Sequence, residues 1–434
     1  MARFLFTTWE GGGHVQPLLM VARELIDRGH QVLALSDICN ADDAAAWTVP
    51  FQAWTTAPSQ TGKRREDDRL KDYEAESPLD VIQRLIDRVM VGPALLYARD
   101  TLAAIDAFAP DVVVSQELLL GVMAAAESRS LPLALFAANI WSLPTLAGVP
   151  PFGPGMAPAT SDEERAMHVM VNQMSRGFFQ IGLPAMNATR ADLGLPALAD
   201  IFEQLDVADA ILIGTSPAFD FSPDSLPQPF AYVGPYLSDP SWVGPCVRPS
   251  GDEPLILVSF SSLYQAQDAT LTNVIKALGQ LPVRGMVTTG PTLAPEAFTP
   301  SANVSIVRSA PHGEFLAHTA LFVTHAGHGS TLRPLMAGVP LLCLPMGRDQ
   351  HDNAARVTER GAGLRLAADA SVEAIAAAIA DLLGSEDYRL AAASLGTRIR
   401  ADAADRSAAR RLEGLILRTG LVGGEGIEPP TLSV

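Results

Sequence analysis

Leu321-Phe-Val-Thr-His-Ala-Gly-His-Gly-Ser-Thr-Leu332 is the stretch from which the fold can be read. Leu321 to Thr324 reads as a short buried strand, and the turn after it contains Gly327 and Gly329. A helix is expected to begin near Ser330 and run through Leu335 to Ala337. A strand that breaks on glycines into a helix leaves unpaired backbone N–H groups at the helix start. Together with the positive end of the helix dipole, these donors suit a phosphate or diphosphate. His325 falls at the C-terminal end of the strand, where ligands bind in open α/β sheets. By itself the turn could equally be an ordinary strand-to-helix connection, so its surroundings have to decide.

Working outward, the strand–helix alternation continues in both directions. On the C-terminal side, strand Leu341–Leu344 and helix Asn353–Arg360 are expected, then Ala-rich helices over Val372–Leu383 and Tyr388–Leu417. On the N-terminal side of the motif come strand Leu255–Phe260, helix Leu271–Leu281 and strands Gly285–Thr289 and Val304–Val307. A second series starts the chain. Ala2–Thr8 reads as a buried strand, Trp9-Glu-Gly-Gly-Gly-His14 as a loop, Pro17–Leu25 as a helix stopped at Arg28-Gly29, and Gln31–Ser36 as a strand. Strand, helix, strand in so short a span commits this half to a parallel sheet. Later elements of the half are a long helical stretch over Pro78–Phe108, strand Asp111–Ser115, helix Leu118–Arg129 and strand Leu133–Ala137. Helix Asp162–Ile181 and strands Ala210–Gly214 and Phe230–Val233 complete it.

The expected organisation is α/β, with two Rossmann-like doubly wound domains facing across a cleft. Residues 1–222 form the N-terminal Rossmann-like domain, 223–250 a Pro-rich linker, and 251–385 the C-terminal Rossmann-like domain. A helical segment follows at 386–418, packing back on the first domain, and 419–434 is expected to be a disordered tail. The charge-dense segment Gly62–Glu76 reads as a solvated loop or mobile flap, and Leu143–Pro158, rich in Pro and Gly, as an irregular loop over the sheet edge.

The bulk numbers narrow the function. At 434 residues with 48% hydrophobic and 18% charged residues, the chain is globular and long enough for two domains. A net charge of −17 argues against nucleic acid and anionic membrane as partners. Cys39, Cys246 and Cys343 are odd in number and widely spaced, which points to a reduced, cytoplasmic setting without a disulfide frame or zinc site. No apolar run reaches the ~18 residues of a membrane span, and Met1–Thr8 reads as a first strand rather than a signal peptide.

Several motifs in order carry a family resemblance. His325-Ala-Gly-His-Gly-Ser-Thr, Ala337-Gly-Val-Pro340, Pro345, and Asp349-Gln350 with Asn353 resemble the donor-binding signature of family-1 glycosyltransferases, inverting enzymes of the GT-B fold that use nucleotide-diphosphate sugars. Gly13-His14-Val15 with Pro17, Arg28-Gly29-His30-Gln31-Val32 and Ala310-Pro311-His312 match other segments of the family. The resemblance extends to about Leu417 and is strongest to the bacterial branch acting on macrolides and other lipophilic natural products.

It implies a hexosyltransferase that moves glucose from UDP-glucose, or a sugar from a dTDP donor, to a hydroxyl of a polyketide, macrolide or flavonoid. No metal or other cofactor is expected, and the chain is expected to be a monomer or homodimer. The implied donor site comprises Ser261, Ser262, His312, His325, Gly327, Gly329, Ser330, Thr331, Asp349 and Gln350. His325 and the N–H groups of Gly329, Ser330 and Thr331 would hold the diphosphate, and Asp349 and Gln350 the sugar hydroxyls. His14 would be the general base that deprotonates the acceptor hydroxyl. His328 either packs or contributes to the site. For the acceptor, Trp141, Phe152, Met170 and Phe178 are the candidates. Met167, Met170, Met174, Phe178 and Phe179 give the 162–181 helix an apolar face that suits either core packing or a pliable ligand wall.

Three positions depart from the family pattern. Where an aspartate commonly orients the base, this chain has Gln116 followed by Glu117, so either of these is the candidate partner of His14. Arg333 replaces a glutamate that meets the ribose, and Ser309 replaces a base-stacking tryptophan. Two alternatives therefore stand beside the transferase: a nucleotide-sugar-binding protein of weak or no activity, motivated by Gln116, and a nucleotide-sugar 2-epimerase of the same fold.

Overall fold

A computed structural model describes residues 1–238, 243–244 and 246–422, the last six as helical backbone only. The expected tail at 419–434 lies almost wholly outside the described residues.

The first domain runs β1 (Arg3–Thr7), α1 (Val15–Asp27), β2 (Gln31–Ser36), α2 (Ala41–Ala46), β3 (Phe51–Ala53), α3 (Pro78–Leu85) and α4 (Ala94–Phe108). It continues with β4 (Val112–Gln116), α5 (Leu120–Ser128), β5 (Leu133–Ala137), α6 (Asp162–Phe179), α7 (Leu183–Asp192), β6 (Ala210–Ile213) and β7 (Phe230–Tyr232). The second begins with β8 (Leu255–Ser259), α8 (Asp268–Leu278), β9 (Arg284–Thr288), β10 (Val304–Val307), α9 (His312–Phe315) and β11 (Thr319–Thr324). Then come α10 (His328–Met336), β12 (Leu341–Cys343), α11 (Gln350–Glu359), β13 (Gly363–Arg365), α12 (Val372–Gly384), α13 (Glu386–Ala404) and α14 (Ala408–Val422).

The strands form a seven-stranded parallel sheet in the order β3-β2-β1-β4-β5-β6-β7 and a six-stranded parallel sheet in the order β10-β9-β8-β11-β12-β13. Each is an open sheet with helices on both faces, so its strands read as continuous apolar runs such as Val112-Val-Val114 and Leu255-Ile-Leu-Val258. Strand order reverses between β1 and β4 in one sheet and between β8 and β11 in the other. Those two switch points are where a ligand crevice opens. The expected two doubly wound halves are therefore present.

Several expected boundaries need correction. The Pro78–Phe108 stretch is not one helix: α3 ends at Leu85, a wide-turn segment spans Ile86–Met90, and Gly92-Pro93 separate it from α4. A Cβ at Gly92 would stand 1.9 Å from the Asp87 carbonyl oxygen, so the chain can turn there only on glycine. Tyr388–Leu417 is likewise two helices, parted at Asp405–Ser407. β7 lies inside the stretch expected to be linker, so the first domain extends past residue 222. Edge strands β3 and β13 were not expected at all.

The last helix does return to the first domain. Ala408, Ala409, Leu412 and Leu415 are buried among Val15, Leu18, Leu19 and Ala22 of α1, and Glu413 pairs with Arg28 at 2.6 Å and His30 at 2.9 Å. Burying leucines here stabilises by ~1.5–3 kcal/mol each. α13 instead lies on α10, the helix of the opening motif, and a Cβ at Gly396 would sit 1.9 Å from the Leu335 carbonyl oxygen. Gly396→Ala is therefore expected to push α13 off α10 and destabilise by ~1–3 kcal/mol. Gly384→Ala, at a position with nothing within 4 Å, should leave the thermal midpoint where it is. Equal melting of the two variants would show that α13 is free to shift.

Candidate active site

The two switch points meet across the cleft. His14 follows β1 and stands at the start of α1, and His325 follows β11 and precedes α10.

The α10 turn is built by short-range bonds. Ala326 holds a left-handed φ of +67°, a conformation that costs an alanine ~1–2 kcal/mol. Its N–H donates to Thr324 Oγ1 at 3.0 Å, and its carbonyl accepts from Asn353 Nδ2 at 2.9 Å. The Ser330 hydroxyl is engaged by Thr324 Oγ1 at 2.8 Å and the Gly327 carbonyl at 3.0 Å. The helix begins earlier than expected, with Gly327 as N-cap. Consequently the Thr331 N–H is consumed by the Gly327 carbonyl at 2.9 Å. The N–H groups that donate to nothing among the described residues are those of His328, Gly329 and Ser330. This corrects the expected set of Gly329, Ser330 and Thr331 by one residue. Thr331 contributes a buried, unpartnered Oγ1 instead.

His325 is buried, and Gly327 is pressed on it: a Cβ there would lie 2.5 Å from His325 Nε2. Burial, then the nearby Arg348 charge, hold its pKa down to about 3, so it is neutral. His328 donates or accepts at 2.8 Å with Thr215 Oγ1 of the first domain, so it ties the domains together. His312 stacks edge-on against Phe322 with ring centroids 5.5 Å apart. Ser261 Oγ accepts from the Leu263 N–H at 3.1 Å, which shapes the loop after β8, and Ser262 is exposed.

Asp349 faces the cleft, held by Asn353 Nδ2 at 2.8 Å and by Asn139 of the first domain at 3.4 Å. Gln350 is placed differently from expectation. It is buried, its Oε1 accepts from the Met346 and Gly347 N–H groups at 2.8 and 3.3 Å, and its Nε2 donates to Gln265 at 2.7 Å. Most of its amide is thus spent in fixing the loop that carries Asp349. On the far side of that loop a cavity of about 540 Å³ opens between Gln265, Thr270, Met346, His351 and Arg365.

His14 is half-buried and makes no hydrogen bond among the described residues; its Nδ1 is buried without a partner. It is placed by shape. The Trp9 ring lies 6.1 Å away, and a Cβ on Gly11 would come within 2.7 Å of Nδ1. Neither expected partner reaches it. Gln116 belongs to β4 itself, so its side chain is committed by the strand's direction: Oε1 accepts from Trp9 Nε1 at 3.2 Å and the Leu118 N–H at 2.9 Å. Glu117 is buried beside Ser142, with Oε2 unpartnered. Burial, then the Arg348 charge, lower the His14 pKa to about 4.

Arg348, Asn139 and Asp352 were missed by sequence reasoning; Asn353, read as part of the donor signature, holds Asp349 and the Ala326 carbonyl. The expected flap at 62–76 also needs correction. Asp68 and Leu70 are buried, Asp72 forms a 2.5 Å ion pair with Arg348, and the Arg65 guanidinium lies 4.1 Å over the ring of Tyr264 in the second domain. This segment is a strap across the cleft rather than a solvated loop.

Of the four acceptor candidates, Trp141 and Phe152 line one small cavity with Asp352 and Arg356, whereas Met170 and Phe178 lie apart from it on α6. Trp141 is buried, bonded to Thr145 at 2.9 Å and packed edge-on against Phe230; Phe152 packs on the second domain's core. Met170 and Phe178 lie on α6, whose apolar stripe is mostly open: Met167, Met170 and Met174 are 47%, 48% and 55% exposed, and only Phe179 is buried. Core packing is therefore not the role of the methionines.

The Glu117 carboxyl has its pKa raised from 4.5 to about 7 by burial. A carboxyl that ionises less readily when folded costs stability as pH climbs from about 4.5 to 7, and the cost stays above that. Glu117→Gln should thus gain up to ~3 kcal/mol relative to the parent at pH 8 compared with pH 5, read from urea midpoints. An identical pH dependence of the two proteins would mean that Glu117 is compensated after all.

Residues 192–404 match the family described as UDP-glucoronosyl and UDP-glucosyl transferase. Over 426 residues the chain is 28% identical to 4'-demethylrebeccamycin synthase of Lentzea aerocolonigenes, covering 96% of this chain and 100% of that one. It is 27% identical over 417 residues to the oleandomycin glycosyltransferase of Streptomyces antibioticus, covering 93% and 87%. In three dimensions it is similar to the calicheamicin glycosyltransferase CalG4, with a TM-score of 0.74 at 20% identity over 96% of this chain and 99% of that one. The glycosyltransferase of kitacinnamycin gives the same TM-score of 0.74 at 20% identity, over 95% and 99%. The last two likenesses show the GT-B fold. The sequence matches, to a sugar-transferase family and to named glycosyltransferases along almost the whole chain, make the protein a sugar-transferring enzyme.

Proposed function

We propose that the protein transfers a hexose, glucose from UDP-glucose in the first instance, to a hydroxyl of a lipophilic natural product, with inversion at the anomeric carbon and without a metal. The observation that carries this is the opposition of two neutral histidines. His14, with no partner to hold its proton, faces the cleft from one switch point. His325 and three unoccupied N–H groups of α10 face it from the other.

In this reading the donor's diphosphate sits at the start of α10, where the N–H groups and helix dipole stabilise the charge that grows as the glycosidic oxygen leaves. Asp349 accepts from the sugar hydroxyls. The acceptor oxygen attacks the anomeric carbon from the His14 side, opposite the leaving diphosphate, so one displacement inverts the centre. His14 takes the hydroxyl proton through Nε2, the nitrogen not buried against Gly11, and Nδ1 carries the proton of the neutral ring. The relatives named for rebeccamycin and oleandomycin support a natural-product acceptor. The exposed methionine stripe of α6 and the half-buried Phe178 offer an adaptable apolar wall for one. The missing partner of His14 keeps a second reading in play, a donor-binding protein of low turnover.

Incubation with UDP-glucose or dTDP-glucose and a panel of phenolic and macrolide acceptors should release the nucleotide and yield a β-glucoside by NMR. His14→Ala should be slower by about 10²–10⁴-fold. Donor binding with no glycosylated acceptor would favour the second reading. Two glycines separate the half-sites: Gly11→Ala should displace His14 and lose turnover with UDP binding intact, whereas Gly327→Ala should displace His325 and weaken UDP binding itself. Because His14 needs to be neutral to act and is protonated only below about pH 4, kcat/KM should hold well below pH 6.5 before its acid limb. An acid limb near 6.5 would show the base to be more exposed than this geometry allows.

A further inference from the structure

Arg348 stands immediately before Asp349 with a left-handed φ of +54°, and its side chain leaves its own domain. Nη1 donates to the Gly11 carbonyl at 3.1 Å. Nε and Nη2 grip the Asp72 carboxylate at 2.5 and 3.1 Å, and Asp68 Oδ2 lies 3.9 Å from Nη2. The side chains involved are largely buried, 18% exposed for Arg348, 9% for Asp72 and 5% for Asp68. One guanidinium thus joins the donor loop, the strap and the loop that carries the base. Its planar fork suits the bidentate carboxylate, and an ammonium could not make all three contacts.

Gly11 is the peptide against which the His14 ring rests, as the 2.7 Å approach of its absent Cβ to Nδ1 shows. His14 has no hydrogen bond to orient it, so whatever fixes the Gly11 peptide fixes the base. We infer that Arg348 is the positioning residue of His14: from the donor domain it holds the Gly11 carbonyl, and through Asp72 it keeps the 62–76 strap closed across the cleft. The inference rests on the reading of His14 as the general base. It explains a left-handed arginine, two carboxylates buried in a segment rich in charge, and a base without an acid beside it.

Asp68 and Asp72 face Arg348 from the strap, and Asp349 is its neighbour on the same loop. Burial works against the guanidinium, but those acids outweigh it and keep it firmly protonated. Its field reaches His14 behind β1 and His325 behind β11, and His14 in turn faces His328 of α10. Among the described residues no carboxylate acts on His14. Burial is the larger influence on it, and Arg348 adds to the preference for the neutral ring.

The test uses the full-length enzyme and an acceptor found active in the panel. Arg348→Met should lower kcat by about 10–10²-fold, with a smaller change in donor KM, and move the acid limb of kcat/KM upward by about one pH unit, since a positive charge near the base has gone. Arg348→Lys should keep the acid limb in place yet lose most of kcat, because charge alone does not hold the Gly11 carbonyl. Asp72→Asn should leave the limb where it is or move it down, and should expose Lys63, Arg64 and Arg65 of the strap to trypsin. If Arg348→Met folds poorly with two acids left unpaired, Arg348→Met/Asp72→Asn removes the stronger of them and should show the same upward shift. An unmoved acid limb in both Arg348→Met proteins, or full activity in Arg348→Lys, would overturn the inference. Wild-type activity in His14→Ala would instead overturn the reading it rests on.

Discussion

The active site exists only while two separate sheets stay in register, and a buried ion pair holds them there. Arg356 of α11 meets Asp220 of the first domain at 2.7 Å, with their side chains 8% and 6% exposed. Tyr232 donates to the other Asp220 oxygen at 2.8 Å, and Arg360 donates to the Asp220 carbonyl at 2.7 Å. One turn earlier on the same helix, Asp352 accepts from the Gly153 and Gly155 N–H groups of the 141–160 loop. α11 begins directly after Asp349, so the contacts that seat this helix on the first domain also aim the Asp349 carboxylate. A buried pair of this kind adds little net stability over an apolar contact of the same shape, but losing one partner leaves the other charged in a dry interface. Its value lies in orientation.

That arrangement explains how charge is distributed in an acidic chain. With a net charge of −17, the protein should repel a nucleoside diphosphate at long range. Near the cleft the balance is local: helix N–H groups at α10, and a guanidinium matched to buried carboxylates. Neutral His14 and His325 add no repulsion between themselves, and the field of Arg348 reaches both. Fixed dipoles need no reorganisation when the leaving group develops charge, which is why such sites can work with few formal charges.

Much of this was legible in sequence because parallel sheets advertise themselves. Runs such as Val112-Val-Val114 and Leu133-Ala-Leu-Phe136 are apolar on both faces, and the Gly-rich turns after β1 and β11 mark where strands end and ligands begin. Strands β3 and β13 escaped because three residues at a sheet edge show no periodicity. Helix α10 starts at His328, two residues before the expected Ser330, whose hydroxyl turns back to the Gly327 carbonyl inside the first turn. Partners of His14 were sought one residue after a strand, but Gln116 is the strand's last member and spends its amide oxygen on Trp9 and the Leu118 N–H. Contacts made across domains left no local trace. Arg348 and the acids of the strap lie more than 270 residues apart in sequence, and a charge run read alone is assigned to water.

The site therefore departs from the expected pairing in a consistent way. A base held by an acid gains basicity and orientation from one contact; here the two are separated. Orientation comes from packing against Gly11 and Trp9, and burial, with the positive field of Arg348 added to it, keeps the ring neutral at the expense of basicity. By Brønsted behaviour a weaker base contributes less to proton transfer, so under the proposed role of His14 phenols are expected to react faster than aliphatic alcohols.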